Sequence, residues 1–170
     1  MEERTILHVN ITHFHVAVAC MQAPRLDSYP VAVRAPGSRL LLLDISTEAW
    51  RAGVSRGMTV EAAKRLCPDL VLIDPVPSLY ERIEKALFDR ACFLSPLVER
   101  AGPGHLFVDL TGTRRLLGGA ADVAERLRRS ILDDCRVEPV VGIAANRLVS
   151  KVATRVIKPR GLCSVLSGCE

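Results

Sequence analysis

The chain has 170 residues, of which 49% are hydrophobic, so it can bury the core of one domain or of one domain with a sizeable insertion. No stretch approaches the roughly 18 uninterrupted apolar residues of a membrane helix, and the N-terminus lacks the layout of a signal peptide. We therefore expect a cytoplasmic protein with no membrane partner, and its net charge of +4 permits nucleic-acid binding without requiring it.

The first half of the chain predicts a buried strand, a helix and a small α/β segment. Apolar and β-branched residues over 5–11 predict the strand, and a helical pattern from about His13 ends before Pro24. Ser46 and Thr59 are the expected N-caps of two short helices. The elements predicted after Pro24 are strands over Pro30–Arg34 and Leu40–Asp44, joined by a turn over Ala35–Ser38, helices over Thr47–Ala52 and Val60–Leu66, and a strand over Leu70–Ile73.

The second half predicts two long helices that alternate with strands, followed by a last helix. In order, the elements are a helix over Leu79–Leu94, strands over Leu97–Ala101 and Leu106–Leu110, a helix over Ala121–Asp133, a strand over Pro139–Ala144 and a helix over Asn146–Ile157. With residues 12–76 set aside as an insertion, the order is βαββαβ, the split βαβ arrangement of ferredoxin-like folds. We therefore expect an α+β fold, although this fold hosts many unrelated functions.

The six cysteines form no Cys-x-x-Cys pair and match no zinc or disulfide spacing. Most lie in apolar surroundings, which is typical of small buried residues in a reducing compartment. We therefore expect neither a disulfide framework nor a zinc site. No bound cofactor and no metal ion are expected elsewhere in the chain. The cysteines are Cys20, Cys67, Cys92, Cys135, Cys163 and Cys169.

Five short stretches occur in an order and spacing that identify a family. They are Ile6–Asn10 with Phe14 and Ala17, Ala49 to Met58 with its glycines, Ala63–Leu70, Phe107–Thr111, and Val141–Ala144 running to Lys158–Gly161. Together they resemble the Y-family DNA polymerases, the UmuC and polymerase IV group. The last stretch is the most specific, and the resemblance spans residues 5–165.

The resemblance implies a division of the chain into named parts. Residues 1–11 and 77–165 correspond to the palm, and residues 12–76 correspond to a small α/β fingers subdomain inserted in it. Residues 166–170 correspond to the first residues of a C-terminal region, and the rest of that region lies outside this chain.

The resemblance also implies a lost catalytic centre. Polymerases of this kind use two Mg²⁺ ions, and Mg²⁺ prefers carboxylate oxygens. The three positions that match the family's metal-binding carboxylates are Asn10, Gly104 and His105. We therefore expect no catalytic residues, as in the ImuB-like branch of the family, and no bound Mg²⁺, although active relatives use it. Asp109 matches a family aspartate that is not a metal ligand, and we expect it to hydrogen-bond the following turn.

Several residues match the family's nucleotide-binding positions or form a basic surface. Thr47 and Trp50 stand where the family has a tyrosine and an arginine, His15 stands at the aromatic position that gates against ribose, and Phe14 and Lys158 are retained. The last predicted helix carries basic residues at spacings of four, four and three: Arg147, Lys151, Arg155 and Lys158. This face predicts contacts with phosphate and DNA, or else a solvated basic surface. A second basic cluster on another helix is expected to face solvent: Arg126, Arg128 and Arg129.

Three histidines that flank the matched positions raise the possibility of a transition-metal site. We expect none, because His13 and His15 are two residues apart on a predicted helix and their side chains therefore point to different sides. The two imidazoles could then not bind one metal ion together with His105.

The leading functional hypothesis is a non-catalytic Y-family protein that acts in translesion synthesis. Its expected partners are DNA and, through regions outside this chain, the sliding clamp and an active polymerase. The alternative is an active, error-prone translesion polymerase with atypical metal ligands, for which Asp44 is the nearest acidic candidate. A plain nucleic-acid binding module is less favoured, because four Phe, two Tyr and one Trp give little material for a base-stacking platform.

Overall fold

The computed structural model describes residues 4–35, 37, 40–166 and 168. The chain divides into two compact units, Met1–Thr12 with Arg82–Glu170, and His13–Glu81. In chain order the elements are β1 (Ile6–Ile11), α1 (Phe14–Gln22), a 3-10 turn (Pro24–Leu26), β2 (Val31–Arg34), β3 (Leu42–Ile45), α2 (Thr47–Arg51), α3 (Val60–Leu66), β4 (Val71–Ile73), α4 (Pro77–Cys92), β5 (Val98–Gly102), β6 (His105–Asp109), α5 (Arg114–Leu117), α6 (Ala120–Cys135), β7 (Pro139–Ala144), α7 (Arg147–Val156) and β8 (Gly161–Ser164).

The larger unit is built on a five-stranded mixed sheet in the order β5-β6-β1-β7-β8. Strand β1 is antiparallel to both β6 and β7, and β8 is parallel to β7. The four predicted strands thus share one sheet, and the predicted α+β class and ferredoxin-like strand order are confirmed. The described residues of 12–76 contribute no strand to it, because β2, β3 and β4 form a separate sheet.

Helices cover both faces of the larger sheet. Helices α4 and α6 lie side by side, where Arg90 contacts Asp134 at 2.6 Å. Helix α7 lies against the face that carries His8 and Phe107, because the Thr154 hydroxyl is 2.9 Å from Nδ1 of His8. All six residues of β1 are buried as a consequence.

A glycine allows α7 to approach the sheet closely. A Cβ atom built on Gly142 of β7 would lie 2.1 Å from the backbone carbonyl oxygen of Ser150 and 3.1 Å from Cβ of Ala153. The residues that α7 turns inward are small for the same reason: Ser150, Ala153 and Thr154 are its buried residues. Close packing of backbone on backbone therefore fixes the position of this helix.

The smaller unit has a three-stranded sheet in the order β3-β2-β4, with β2 antiparallel to β3 and parallel to β4. Both expected N-caps are confirmed, since Ser46 Oγ accepts from the amide of Ala49 and Thr59 Oγ1 accepts from the amide of Ala62, each at 3.2 Å. The predicted turn at 35–38 lies partly outside the described residues.

Three elements have no counterpart in the sequence prediction: the 3-10 turn, α5 and β8. Pro159 and Gly161 predict only the end of the last helix, whereas Gly161 also begins β8 beside β7. The expectation that Arg128 faces solvent was also wrong, because its guanidinium contacts Glu125 at 2.8 Å and Glu138 at 3.1 Å and is 19% exposed.

The described cysteines are unpaired: Cys67 and Cys135 are buried, Cys20 and Cys163 are half-buried, and Cys92 is exposed. Cys169 lies outside the described residues. Within the part of the chain that the structure describes, no helix combines the length and apolarity needed to cross a membrane.

Candidate functional site

Strand pairing brings the three positions matched to metal-binding carboxylates together. Asn10 of β1 lies directly opposite His105 of β6. The carbonyl oxygen of Gly104 accepts a hydrogen bond of 2.9 Å from the amide of Ile11. Directly opposed residues of an antiparallel pair project to the same face, so the side chains of Asn10 and His105 share one face of the sheet with His8.

His8 is buried in this face and has a defined tautomer. The hydroxyl of Thr154 donates to the carbonyl oxygen of Lys151 at 2.7 Å, so it accepts from Nδ1–H of His8 at 2.9 Å. Nε2 of His8 then accepts from Nδ1 of His105 at 3.2 Å. Burial lowers the pKa of His8 to about 3, and the charges of His105, Lys151, Lys158 and Arg155 act in the same direction.

Asn10 carries an unsatisfied polar atom at the same place. The residue is 1% exposed, and no hydrogen-bond partner for its Oδ1 is present among the described residues. A buried acceptor without a partner costs about 1–3 kcal/mol.

These side chains do not fit the Mg²⁺ pair of active family members. The positions offer one neutral amide oxygen, one glycine and one imidazole, whereas Mg²⁺ binds through carboxylate oxygens and imidazole favours softer metals. Three cationic side chains act on His8, which adds repulsion for a divalent cation. Among the residues that the structure describes, no three His, Cys, Asp or Glu side chains are placed to hold a metal ion.

The basic residues of α7 have two different environments: Arg147 is held in an ion pair, whereas Lys151 and Arg155 are exposed. Arg147 is held at the N-terminus of the helix, where it contacts Glu99 at 2.7 Å and lies 4.5 Å above the ring of Phe107. Lys151 and Arg155 are exposed, and among the described residues neither has a carboxylate partner. Lys151 and Arg155 therefore provide the accessible positive charge near the Asn10–His105 pair, together with exposed Lys158.

The remaining predicted nucleotide-binding residues lie in the smaller unit. Phe14 is buried, and His15 next to it makes an edge contact with the ring of Tyr80 at 4.8 Å. Thr47 begins α2, and Trp50 on the same helix is 64% exposed. The exposed indole offers a stacking surface but no charge for a triphosphate.

Asp44 is the centre of a charge cluster in the smaller unit. Its carboxylate, 2% exposed, lies 2.6 Å from the guanidinium of Arg56 and accepts from the backbone amide of His15 at 3.0 Å. The imidazoles of His15 and His13 lie 3.4 and 3.8 Å from it. The argument that His13 and His15 point to different sides was wrong, because His13 precedes the helix with a left-handed φ of 51° and turns its ring toward the same carboxylate.

The role expected for Asp109 from the sequence can be compared with its contacts. Asp109 accepts from the amide of Thr111 at 2.9 Å, so the expected local hydrogen bond to the following turn is present.

The sequence analysis did not identify His8 as a site residue. The signal for it was a lone histidine inside an apolar strand, which matters only because β6 places a second histidine beside it.

Comparisons with known proteins agree with this architecture. A sequence profile of the impB/mucB/samB family matches residues 9–155. The DNA polymerase IV of Dehalococcoides mccartyi is 33% identical over 100% of this chain and 44% of its own length, and that of Desulfatibacillum aliphaticivorans is 32% identical over 97% and 42%. The chain thus spans less than half the length of these relatives.

Solved structures show the same fold at lower sequence identity. The crystal structure of DinB from Sulfolobus solfataricus matches with a TM-score of 0.88 at 20% identity, covering 96% of this chain and 48% of that one. An insertion ternary complex of Dbh DNA polymerase matches with a TM-score of 0.86 at 20% identity, covering 95% and 48%. With the family profile matching most of its length, the chain belongs to the impB/mucB/samB family and is a Y-family DNA polymerase-like protein.

Proposed function

We propose that this chain is the palm and fingers portion of a Y-family protein that has lost nucleotide addition and acts in translesion synthesis by binding DNA. In this proposal the unit with the five-stranded sheet is the palm, and the unit of residues 13–81 is the fingers. The sliding clamp and an active polymerase are the expected partners, through regions outside this chain, in the cytoplasm.

One observation carries the loss of catalysis. Asn10, Gly104 and His105 are brought together by β1 and β6, yet the three contribute no carboxylate. Two-metal phosphoryl transfer requires ligands that neutralise and position both ions, and a neutral amide with an imidazole cannot replace them. The absence of carboxylates at these positions supports the proposal of a pseudoenzyme of the ImuB-like kind.

The alternative, an active polymerase with displaced ligands, draws its support from the relatives, which are named DNA polymerase IV. Asp44 is its acidic candidate. The Asp44 carboxylate is already engaged by Arg56 and by the amide of His15, which leaves it poorly suited to a metal ion. The pseudoenzyme is therefore the better supported assignment.

Retained DNA binding is supported by the exposed charge of α7. Lys151 and Arg155 have no carboxylate partner among the described residues, so contact with phosphate requires no ion pair to be broken. Each phosphate contact releases condensed counterions and makes binding dependent on salt.

The Lys151→Ala variant is expected to bind primer–template DNA more weakly at low salt, across all sequences tested. The slope of log K against log salt should become shallower by about 1 for each phosphate that the lysine neutralises. Fluorescence anisotropy with a labelled duplex, repeated over a range of salt concentrations, measures both quantities.

The matched control is Lys85→Ala, which removes an exposed lysine that is paired with Asp89 at 2.6 Å. It should leave affinity and slope close to those of the unchanged protein. An equal decrease in affinity in both variants would show only a nonspecific effect of net charge, and unchanged affinity in Lys151→Ala would remove α7 from the DNA-binding surface.

A further inference from the structure

A cavity of about 340 Å³ opens at the end of the larger sheet that is distant from Asn10. It lies where β1 begins and where β6 and β7 end, since Thr5 precedes β1, Leu110 follows β6 and Ala144 ends β7. All of its lining residues belong to the larger unit. Five residues of extended strand, roughly 17 Å, separate Thr5 from Asn10, so this cavity is not part of the candidate site described above.

The floor of the cavity is apolar. Leu110, Ile143 and Ala144 line it and are buried, and Leu166 at its rim is 71% exposed. An aliphatic side chain that entered the cavity would remove apolar surface from water on both partners, which is the main favourable contribution to association. The volume lies within the range of cavities that hold part of a ligand.

The rim of the cavity carries positive charge. Arg4 and Arg114 line it, and none of its described lining residues is an aspartate or a glutamate. Arg114 is exposed and has no carboxylate partner in the part of the chain that the structure describes. Arg4 lies 3.6 Å from Asp109, but its side chain is 63% exposed, so this ion pair is weak and leaves guanidinium donors for a second carboxylate.

The combination of floor and rim selects one class of ligand. A nucleic-acid backbone would use the two guanidinium groups, but its phosphates and sugars would leave the apolar floor unfilled. A peptide with an aliphatic residue between acidic residues uses both features, because guanidinium groups bind carboxylates with two parallel hydrogen bonds. Charge complementarity at the rim therefore favours an acidic peptide as the occupant.

We propose that this cavity is the docking site for an acidic segment of a partner protein. The segment inserts one aliphatic side chain against Leu110 and Ile143 and pairs its carboxylates with Arg4 and Arg114. The cavity lies apart from Asn10 and His105, so the inference holds whether or not nucleotide addition has been lost.

The test uses fluorescence anisotropy with the labelled peptide Asp-Glu-Leu-Leu-Glu-Asp. It should bind saturably to the wild-type protein. Replacing its leucines by serine should weaken binding by about tenfold or more, because the aliphatic side chain then contributes no buried apolar surface. Replacing its acidic residues by lysine should weaken binding at least as much, because like charges then meet at the rim.

Three protein variants locate the binding. Arg114→Glu reverses a charge at the rim, and Ala121→Trp fills the cavity from α6 at an exposed position without changing the charge. Each should weaken binding of the acidic peptide by about tenfold. Arg115→Glu is the matched control, because it changes the net charge equally and lies on α5 beside Arg114 but does not line the cavity. It should change the affinity by less than about twofold.

Thermal denaturation checks that each variant is folded, and a folded Ala121→Trp is sufficient if Arg114→Glu is not. The proposal is wrong if the acidic peptide shows no saturable binding, or if Arg115→Glu weakens binding as much as Arg114→Glu does. It is also wrong if Arg114→Glu weakens the binding of primer–template DNA and leaves peptide binding unchanged, because the surface would then contact nucleic acid.

Discussion

The Gly142→Ala variant is expected to lose about 3 kcal/mol of folding stability, which lowers Tm by roughly 10 °C. The added methyl would lie 2.1 Å from the backbone oxygen of Ser150, well inside van der Waals contact. Backbone of a packed helix cannot rotate away as a flexible side chain can. Helix α7 would therefore have to move off the sheet, carrying Lys151 and Thr154 with it.

Thermal and urea denaturation of Gly142→Ala beside wild type measure this decrease in stability. Gly119→Ala is the matched control, because its new Cβ meets only the carboxylate of Asp122 at 3.2 Å and the cost there is under about 1 kcal/mol. A decrease of less than about 1 kcal/mol in Gly142→Ala would contradict the close packing of α7 on β7.

The second large effect is a pH dependence of stability that originates in His8. Burial and the neighbouring charges lower the pKa of the folded imidazole to about 3, while the unfolded chain has an ordinary value near 6.5. As the pH falls below about 6.5, the unfolded state takes up a proton that the folded state does not, so stability decreases. The contribution is fully present above about pH 6.5 and is lost progressively down to about pH 3.

His8→Phe removes this proton uptake while filling the same space against Phe107, and the Thr154 hydroxyl keeps its bond to the carbonyl of Lys151. Between pH 7 and pH 4.5, wild type should lose roughly 2–3 kcal/mol more than the variant. Urea denaturation of both proteins at each pH gives the difference directly. Parallel stability curves would show that His8 titrates near its ordinary pKa and is not buried as described.

The helices, strands and caps that depend on residues close in sequence were predicted from local sequence patterns. The bounds of α3 and β7 and the caps at Ser46 and Thr59 were predicted as found, because apolar periodicity and capping chemistry are local. Strand β8 was missed because a four-residue segment acquires its strand character by pairing with β7, and a local pattern contains no information on that partner.

One part of the candidate site was predicted from the sequence and another part was not. The family resemblance predicted that Asn10 and His105 lie close together, and the register of β1 with β6 places them directly opposite each other. The cluster around Asp44 was not predicted, because it requires a left-handed backbone at His13 and the placement of Arg56 beside β3. Neither feature has a signature in hydrophobic pattern, so tertiary structure alone brings these charges together.

Primer extension tests the central claim most directly. The protein is given primer–template DNA and the four deoxynucleotides with Mg²⁺ or Mn²⁺, and the DNA polymerase IV of Dehalococcoides mccartyi serves as the positive control. No extension above background is predicted with either ion, because Asn10, Gly104 and His105 supply no carboxylate to the metal site. Template-directed extension that Asp44→Ala or Asp109→Ala abolishes would contradict the account and assign the protein to the active polymerases.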